Sequence, residues 1–195
     1  MIRRRLARLI FRLSGWTMVG EVPPSGIFVG GPHTSNWDYV VTLLVMWHGG
    51  VQPRILVKQE FFHGPLGWLL RLTGSIPVDR KNAFGVVDEL AAIAKNGKPF
   101  VLVLAAEGTR AKGKYWKSGF YRLAQQTGLP ILMGFVDGPS KTAGIGPTLI
   151  PSGDIGADMD KVRAFYADKR GFHPEKITQP RLREEKRPPA DEPGD

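Results

Sequence analysis

A histidine and an aspartate five positions apart carry the first chemical signal in this chain. His33 and Asp38 lie in the run Gly31-Pro32-His33-Thr34-Ser35-Asn36-Trp37-Asp38, between two apolar stretches. Such a run fits a strand, a sharp polar turn and then a helix. An imidazole can act as a general base near neutral pH, and a carboxylate beside it can orient the ring and stabilise its charged form. The pair predicts proton transfer at His33, although pairs with this spacing also arise by chance.

Two later polar segments give the pair its weight. Asp79-Arg80 and Glu107-Gly108-Thr109-Arg110 each follow an apolar run that predicts a strand. Functional groups of open α/β sheets gather at the carboxyl ends of the strands. We therefore expect three separated polar segments to converge on one edge of a sheet.

The elements that must position these residues follow from the apolar pattern. Short apolar runs alternating with helical patterns predict a single α/β domain over residues 1–178, with a largely parallel central sheet flanked by helices. The predicted strands are at 26–31, 54–58, 75–78, 100–105 and 131–136. The predicted helices are at 38–48, 62–72 (a short helix or loop), 84–94, 117–127 and 158–169. Residues 179–195 are Pro-rich and charged without apolar periodicity, which predicts a disordered tail.

The first sixteen residues predict a basic amphipathic helix. Five arginines and no acid occur there, and they alternate with apolar residues at helical spacing. One interpretation is a helix in a membrane interface, with arginines on lipid phosphates. The alternative is a helix packed on its own domain with a solvated arginine face. The formal net charge of +9 also indicates a chain that meets anions.

Composition excludes several classes of site. The chain has 195 residues and no cysteine, so disulfides, thiolate metal sites and cysteine nucleophiles are ruled out. No histidine spacing predicts a metal site, and no phosphate-binding P-loop motif or Gly-x-Ser-x-Gly elbow is present. No apolar run reaches the roughly 18–20 residues that span a bilayer.

Four motifs in order resemble the glycerophosphate and lysophosphatidic acid acyltransferase family. His33 to Asp38 matches the family's His-x4-Asp motif, Gly74 to Arg80 resembles its second motif, and Glu107 to Arg110 matches its third. Leu129-Pro130-Ile131-Leu132 resembles the start of the fourth. The resemblance covers about 27–136, over half of the chain.

The resemblance implies transfer of a fatty acyl group from a thioester to a hydroxyl at a membrane surface. His33 would be the general base and Asp38 would fix its tautomer, as in a Ser-His-Asp triad. The implied residues that bind substrate are Lys58, Arg80, Glu107, Gly108, Thr109 and Arg110. The arginines would bind an anionic head group, because the guanidinium fork suits phosphate. A carboxylate repels phosphate, so Glu107 would orient an arginine or the acceptor hydroxyl.

Three departures from the family pattern leave the acceptor open. Pro32 precedes His33 where Asn or Ser is common, Ala106 replaces the Pro before Glu107, and Gly134 replaces a second Pro in the fourth motif. None touches the His33–Asp38 pair. We therefore expect acyl transfer, while the departures weaken lysophosphatidic acid as the specific acceptor.

The expected partners are acyl-coenzyme A or acyl carrier protein as co-substrate and anionic membrane lipid, with no cofactor, metal or nucleic acid. The expected location is the cytoplasm, peripheral on the inner face of the cell membrane. Lys112, Lys114 and Lys117 fit a solvated face, or a contact with a carrier protein, coenzyme A phosphates or lipid head groups. A non-catalytic membrane or nucleic-acid binder, and a hydrolase that uses His33 with water, remain alternatives.

Overall fold

The computed structural model describes residues 2–78 and 99–185. Its strands are β1 Thr17–Val19, β2 Gly26–Gly31, β3 Arg54–Lys58, β4 Ser75–Val78, β5 Val101–Leu104, β6 Ile131–Asp137 and β7 Thr142–Leu149. Its α-helices are α1 Ile2–Ser14, α2 Trp37–Gly49, α3 Gly64–Leu72, α4 Gly119–Thr127 and α5 Ile155–Tyr166. Short 3-10 turns cover Gln59–Phe61 and Pro174–Lys176. The predicted helix over 84–94 lies outside the described residues.

The described strands form one sheet in the order β1-β7-β6-β2-β5-β3-β4. Strands β6, β2, β5, β3 and β4 are mutually parallel, whereas β7 pairs antiparallel with β6 and parallel with β1. The predicted α/β class with a largely parallel sheet and a helix at residues 2–14 is confirmed. Because the parallel strands share one direction, the segments that follow β2 and β5 emerge at the same edge.

Helices cover both faces of the sheet. Side chains of α1 and α2, including Phe11, Leu43 and Met46, share one core cluster with Phe28 of β2. On the other face, α4 and α5 pack with Trp116 against the same strands. The central strands are apolar on both sides because both faces are buried, as is typical of parallel sheets.

The sequence pattern did not predict β1 or β7. Strand β7 contains Gly144, Gly146 and Pro147, which normally argue against a strand. The glycines are required by close packing: a Cβ on Gly144 would lie 1.9 Å from the carbonyl oxygen of Val19 in β1. In β7 the close approach of the two backbones requires glycines, so the strand lacks the apolar side-chain pattern from which a strand is predicted.

Packing against β2 explains why the fourth motif carries Gly134. A Cβ there would lie 1.8 Å from the ring of Phe28, which is fully buried. The proline expected at this position in the family would meet the same ring. The departure at Gly134 is thus a core-packing feature of β6.

The segment Gly171–Glu185, here called the C-terminal strap, is anchored to the domain. Leu182 is 1% exposed within the core cluster of α4 and α5. The backbone N–H of Trp116 donates to the carbonyl of Arg181 at 2.8 Å. Residues 179–185 are therefore ordered, although the sequence predicted a disordered tail from residue 179. A buried leucine and backbone hydrogen bonds fix this segment, which has no apolar periodicity. Residues 186–195 lie outside the described part.

Helix α1 turns its apolar stripe away from the domain. Its buried side chains are Ala7 and Phe11, whereas Ile2, Leu6, Leu9 and Leu13 are 83%, 46%, 51% and 77% exposed, respectively. The helix thus packs on α2 through a second, narrower face. The alternative of a helix packed on its own domain with only its arginines in solvent does not fit, because four large apolar side chains of α1 are also exposed.

Helix α3 also exposes apolar side chains. Leu66, Trp68, Leu69 and Leu72 are about half exposed or more, and only Gly67 and Leu70 of α3 are buried. The sequence favoured the core for Phe61, Phe62, Trp68 and Leu69, but of these only Phe62 is buried. Among the described helices, none has the length and apolar content to cross a membrane.

Candidate active site

The turn between β2 and α2 brings His33 and Asp38 together. Nδ1 of His33 lies 3.3 Å from Oδ2 of Asp38, and their side chains are 23% and 7% exposed. Strand β2 ends at Gly31, and the Gly31–Pro32 peptide bond is cis. With Nδ1 directed at the carboxylate, Nε2 is the ring nitrogen left to exchange a proton with a substrate.

Asp38 also holds the turn in shape. Its Oδ2 accepts hydrogen bonds from the backbone N–H groups of Thr34 and Ser35, both at 2.7 Å. It sits in the first turn of α2, where the helix dipole favours a negative charge. One carboxylate therefore fixes the backbone of the turn and the imidazole beside it.

Glu107 reaches the turn from the end of β5. The backbone N–H of His33 donates to its Oε1 at 2.5 Å, and the backbone N–H of Thr178 donates to Oε2 at 3.3 Å. Burial raises the pKa of Glu107, and the hydrogen bonds from His33 and Thr178 act in the opposite direction. The side chain is 2% exposed, and its partners are the backbone of the turn and the backbone and hydroxyl of Thr178 in the strap rather than a substrate hydroxyl.

Arg110 meets the turn from the same loop. Its Nη1 donates to Oδ1 of Asn36, and its side chain is exposed. Gly108 adopts a φ of +69°, in the left-handed region that favours glycine, and thereby lets the loop bend back. The guanidinium of Arg110 is thus held at the turn, because its partner Asn36 lies between His33 and Asp38.

A family model described as Acyltransferase matches residues 21–133, more than half of the chain. The chain belongs to the acyltransferase family. The resemblance drawn from the four motifs is confirmed, and the protein is an acyltransferase enzyme.

One solved structure shares the fold of this acyltransferase. It is the 1-acyl-sn-glycerophosphate (LPA) acyltransferase PlsC from Thermotoga maritima, with a TM-score of 0.55 and 17% sequence identity. The match covers 82% of this chain and 73% of the other. At this identity the likeness shows the fold alone. Among curated protein sequences, none matches the chain.

Other predicted site residues of the acyltransferase have different surroundings. Lys58 ends β3 at the same edge of the sheet, but its Nζ pairs with Oε2 of Glu60 at 2.5 Å. Thr109 is exposed, and its hydroxyl accepts from the backbone N–H of Ala111 at 3.2 Å. Arg80 lies outside the described residues. The structure therefore gathers His33, Asp38, Glu107 and Arg110, and leaves Lys58 in a surface ion pair.

The C-terminal strap is a part of this acyltransferase site that sequence reasoning missed. Oγ1 of Thr34 accepts hydrogen bonds from the backbone N–H groups of Phe172 and His173, both at 3.1 Å. Thr178 joins Glu107 as described above. No motif marks these contacts, because they are made by ordinary threonines and backbone groups more than 60 residues away along the chain.

A separate cleft lies away from this constellation. Its volume is about 410 Å³, and its lining includes Met133, Leu149, Lys161 and Phe165, between β7 and α5. None of its lining residues belongs to the His33 turn or to the loop of Glu107. We assign it no part in acyl transfer.

Proposed function

We propose that this acyltransferase moves a fatty acyl group from a thioester donor to a hydroxyl of a lysophospholipid-like or other anionic lipid acceptor. The observation that carries the proposal is the contact of 3.3 Å between His33 Nδ1 and Asp38 Oδ2, with Arg110 bonded into the same turn. A base, its orienting carboxylate and a cation for an anionic acceptor then lie within one turn and one loop.

In this reaction Nε2 of His33 removes the proton of the acceptor hydroxyl as its oxygen attacks the thioester carbonyl. Asp38 holds the ring and stabilises the imidazolium that forms. The tetrahedral intermediate collapses, the C–S bond breaks, and the thiol leaves with the proton from His33. No acyl-enzyme is needed, since the substrate supplies the nucleophile that a serine supplies in a hydrolase triad.

The oxyanion of the intermediate needs donors other than the four backbone N–H groups of the turn that already bond to side chains. The N–H groups of His33, Thr34, Ser35 and Trp37 already donate to the side chains of Glu107, Asp38 and Ser35. Preorganised donors are usually a large part of catalysis at acyl carbonyls. Arg110 is a cationic side chain bonded to the turn, so it is available for the acceptor phosphate or for this charge.

The decisive experiment compares products rather than turnover alone. The enzyme is incubated with a radiolabelled acyl thioester and a panel of acceptors: lysophosphatidic acid, glycerol 3-phosphate, neutral lysolipids and none. Acylated anionic lipid as the main product supports the proposal. Equal release of free fatty acid with and without acceptors would make the protein a hydrolase, the alternative in which water replaces the hydroxyl.

Membrane association is supported by a shared apolar surface on α1, α2 and α3. Helices α1 and α3 adjoin, because Arg3 donates to the carbonyl of Leu72 at 3.2 Å. Tyr39 of α2 contacts the Thr73 hydroxyl at the end of α3 at 2.6 Å. The exposed large apolar residues of these helices form what we call the apolar face: Ile2, Leu6, Leu9, Leu13, Trp37, Val40, Leu66, Trp68, Leu69 and Leu72.

An anionic lipid surface fits the apolar face better than a second protein does. All five arginines of α1 are exposed, Arg5, Arg8 and Arg12 flank its apolar stripe, and the helix contains no acidic residue. Amphipathic helices of this kind lie in the interface, and each basic residue near an anionic surface contributes about 1 kcal/mol. A peripheral position on the inner, anionic face of the cell membrane follows as part of the proposal.

The apolar face predicts the outcome of a vesicle-binding experiment. Leu9→Glu with Leu13→Glu should weaken binding to phosphatidylglycerol-containing vesicles by about tenfold or more, because two charges then replace exposed leucines that insert into the lipid interface. The control is Ile150→Glu, since Ile150 is 62% exposed but lies beyond β7, outside the three helices. Equal vesicle binding by the double variant and the wild type would argue against the apolar face as the lipid contact.

A further inference from the structure

Thr34 joins the C-terminal strap to the turn that carries the base. It is 2% exposed, and its Oγ1 accepts from the backbone N–H groups of Phe172 and His173, both at 3.1 Å. Its own backbone N–H donates to Oδ2 of Asp38 at 2.7 Å, and the same oxygen lies 3.3 Å from Nδ1 of His33. One buried residue therefore connects the strap with the carboxylate that orients the base.

The start of the strap is fixed on the sheet independently of Thr34. The backbone N–H of Arg170 donates to Oδ1 of Asp137 at 2.8 Å. The backbone N–H of Gly138 donates to the carbonyl of Gly171 at 2.9 Å. Asp137 is the last residue of β6, so these bonds tie the strap to a central strand. The strap can therefore serve as a fixed support for the turn.

Gly171 fits closely against the turn. It adopts a φ of +61°, and a Cβ there would lie 2.9 Å from Oγ1 of Thr34 and 3.3 Å from Cβ of Pro32. A side chain at this position would push the strap away from the hydroxyl that accepts its N–H groups. Both the backbone conformation and the contact therefore favour glycine.

The strap also reaches the base through Glu107. The backbone N–H of Thr178 donates to Oε2 of Glu107, and Oε1 accepts from the backbone N–H of His33. The strap thus holds the residue after His33 directly and the N–H of His33 through one carboxylate. A misplacement of about 1 Å near a reacting group can cost about 10²-fold in rate, so support at both points matters for a base.

We propose that Thr34 is a positioning residue of this acyltransferase: it uses the C-terminal strap to hold Asp38 and thereby orients His33 for proton removal. This inference rests on the proposed function, since the orientation of His33 affects the rate only if His33 is the base. Because Thr34 is buried, it acts through Asp38 rather than on a substrate. Valine has nearly the same shape but leaves two N–H groups of the strap without their acceptor.

The first test detects the contact without turnover. Amide hydrogen exchange at Phe172 and His173 is followed by NMR in the wild type, Thr34→Val and Thr34→Ser. We expect exchange at both amides to be about tenfold or more faster in Thr34→Val, because their acceptor is gone. Thr34→Ser keeps the oxygen and should exchange like the wild type. Equal exchange in Thr34→Val and the wild type would overturn the proposal.

The second test measures kcat and KM for acyl transfer. Thr34→Val should lower kcat by about tenfold and leave KM within about threefold, because only the geometry of the base changes. Thr34→Ser should recover most of kcat. The matched control is Thr42→Val, since Thr42 is a buried threonine of α2 outside the turn and its loss should leave kcat unchanged. A wild-type kcat in Thr34→Val, or equal losses in its valine and serine variants, would contradict the positioning role.

A substitution in the strap tests the same contact from the other side. Gly171→Ala places a Cβ against the Thr34 hydroxyl, so it should lower kcat as Thr34→Val does, and the double variant should lose little more. Gly128→Ala is the control for backbone strain: its φ is +70°, but no described atom beyond its neighbours in the chain lies within 4 Å of its Cβ position. Multiplicative losses in the double variant would mean that the two residues act separately, against the proposal.

The His33→Ala variant separates this inference from the proposed function. Thr34→Val added to His33→Ala should cause no further loss of kcat, because the group that Thr34 positions is gone. A further loss would overturn the positioning role while the base remains. A wild-type kcat in His33→Ala would overturn the base and the positioning role together. If His33→Ala loses kcat and Thr34→Val keeps it, the base stands and only the positioning role fails.

Discussion

Replacing His33 with alanine is expected to lower kcat for acyl transfer by about 10²–10⁴-fold, the range that general bases contribute. The acceptor hydroxyl is a weak nucleophile unless its proton is removed as it attacks. His33 is the imidazole whose Nδ1 is held by Asp38 at 3.3 Å. Alanine removes the base, while Asp38 keeps its bonds to the backbone of Thr34 and Ser35, so the turn is expected to remain folded.

The measurement is steady-state transfer to the best acceptor of the panel, with vesicle binding and thermal unfolding recorded on the same protein. His63→Ala is the matched control, because His63 is an exposed histidine just before α3 and belongs to neither the turn nor the loop of Glu107. Loss of turnover with unchanged vesicle binding and unfolding temperature identifies His33 as the base. A kcat near the wild-type value would remove His33 from the mechanism.

The sequence predicted the parallel sheet well because its strands are uniformly apolar. Strands β2, β5 and β6 are buried on both faces, so an unbroken apolar run and its bounding glycines define them. The same logic failed for β7, whose Gly144 and Gly146 serve close approach to β1 and α5. A strand that forms because its backbone packs closely, rather than because its side chains are buried, cannot be predicted from apolar periodicity.

The apolar pattern of the sequence also could not predict whether the apolar side chains of a helix face the core or the solvent. Leucine and tryptophan side chains occur around most of α3, so periodicity does not say which of them meet the core and which the solvent. The answer depends on Gly67 and Leu70, which fit closely against the domain and leave the larger side chains outside. Three-dimensional packing therefore turned an expected core segment into part of a surface.

The site was predicted as separate motifs, and its internal contacts were not. His33, Asp38 and Arg110 were placed correctly at one edge because parallel strands end there. Glu107 was expected to face substrate or an arginine, but its carboxylate lies between the backbones of His33 and Thr178. Thr178 lies 71 residues further along in an irregular segment, and one sequence carries no signal for that pairing.

Glu107 is consequently a positioning residue with a second large predicted effect. Glu107→Ala leaves the backbone N–H groups of His33 and Thr178 without their acceptor in a buried place. At about 1–3 kcal/mol for each of the two unsatisfied donors, we expect a loss of about 2–6 kcal/mol in the free energy of unfolding. We also expect a lower kcat at temperatures where the variant is folded, because the backbone of His33 is no longer fixed.

Two further variants separate positioning from stability. Glu107→Gln keeps a carbonyl oxygen for the His33 N–H, so it should recover most of kcat. Thr178→Val removes the hydroxyl, which accepts from Gly113 and also hydrogen-bonds to Glu107, but it keeps the backbone N–H that donates to Glu107. It should reduce stability more than kcat. If Glu107→Ala retained the wild-type kcat while folded, Glu107 would have only a structural role.

The pH dependence of the free energy of unfolding gives an independent test of how burial affects the Glu107 carboxyl group. Because burial raises the pKa of Glu107, the folded protein binds that proton more tightly than the unfolded chain. Its favourable contribution is complete below the ordinary carboxyl pKa and declines as pH rises through the raised value. The free energy of unfolding of the wild type, relative to Glu107→Gln, should therefore fall over that interval, measured by urea unfolding at several pH values. A difference that rises with pH would mean that the hydrogen bonds from His33 and Thr178 outweigh burial.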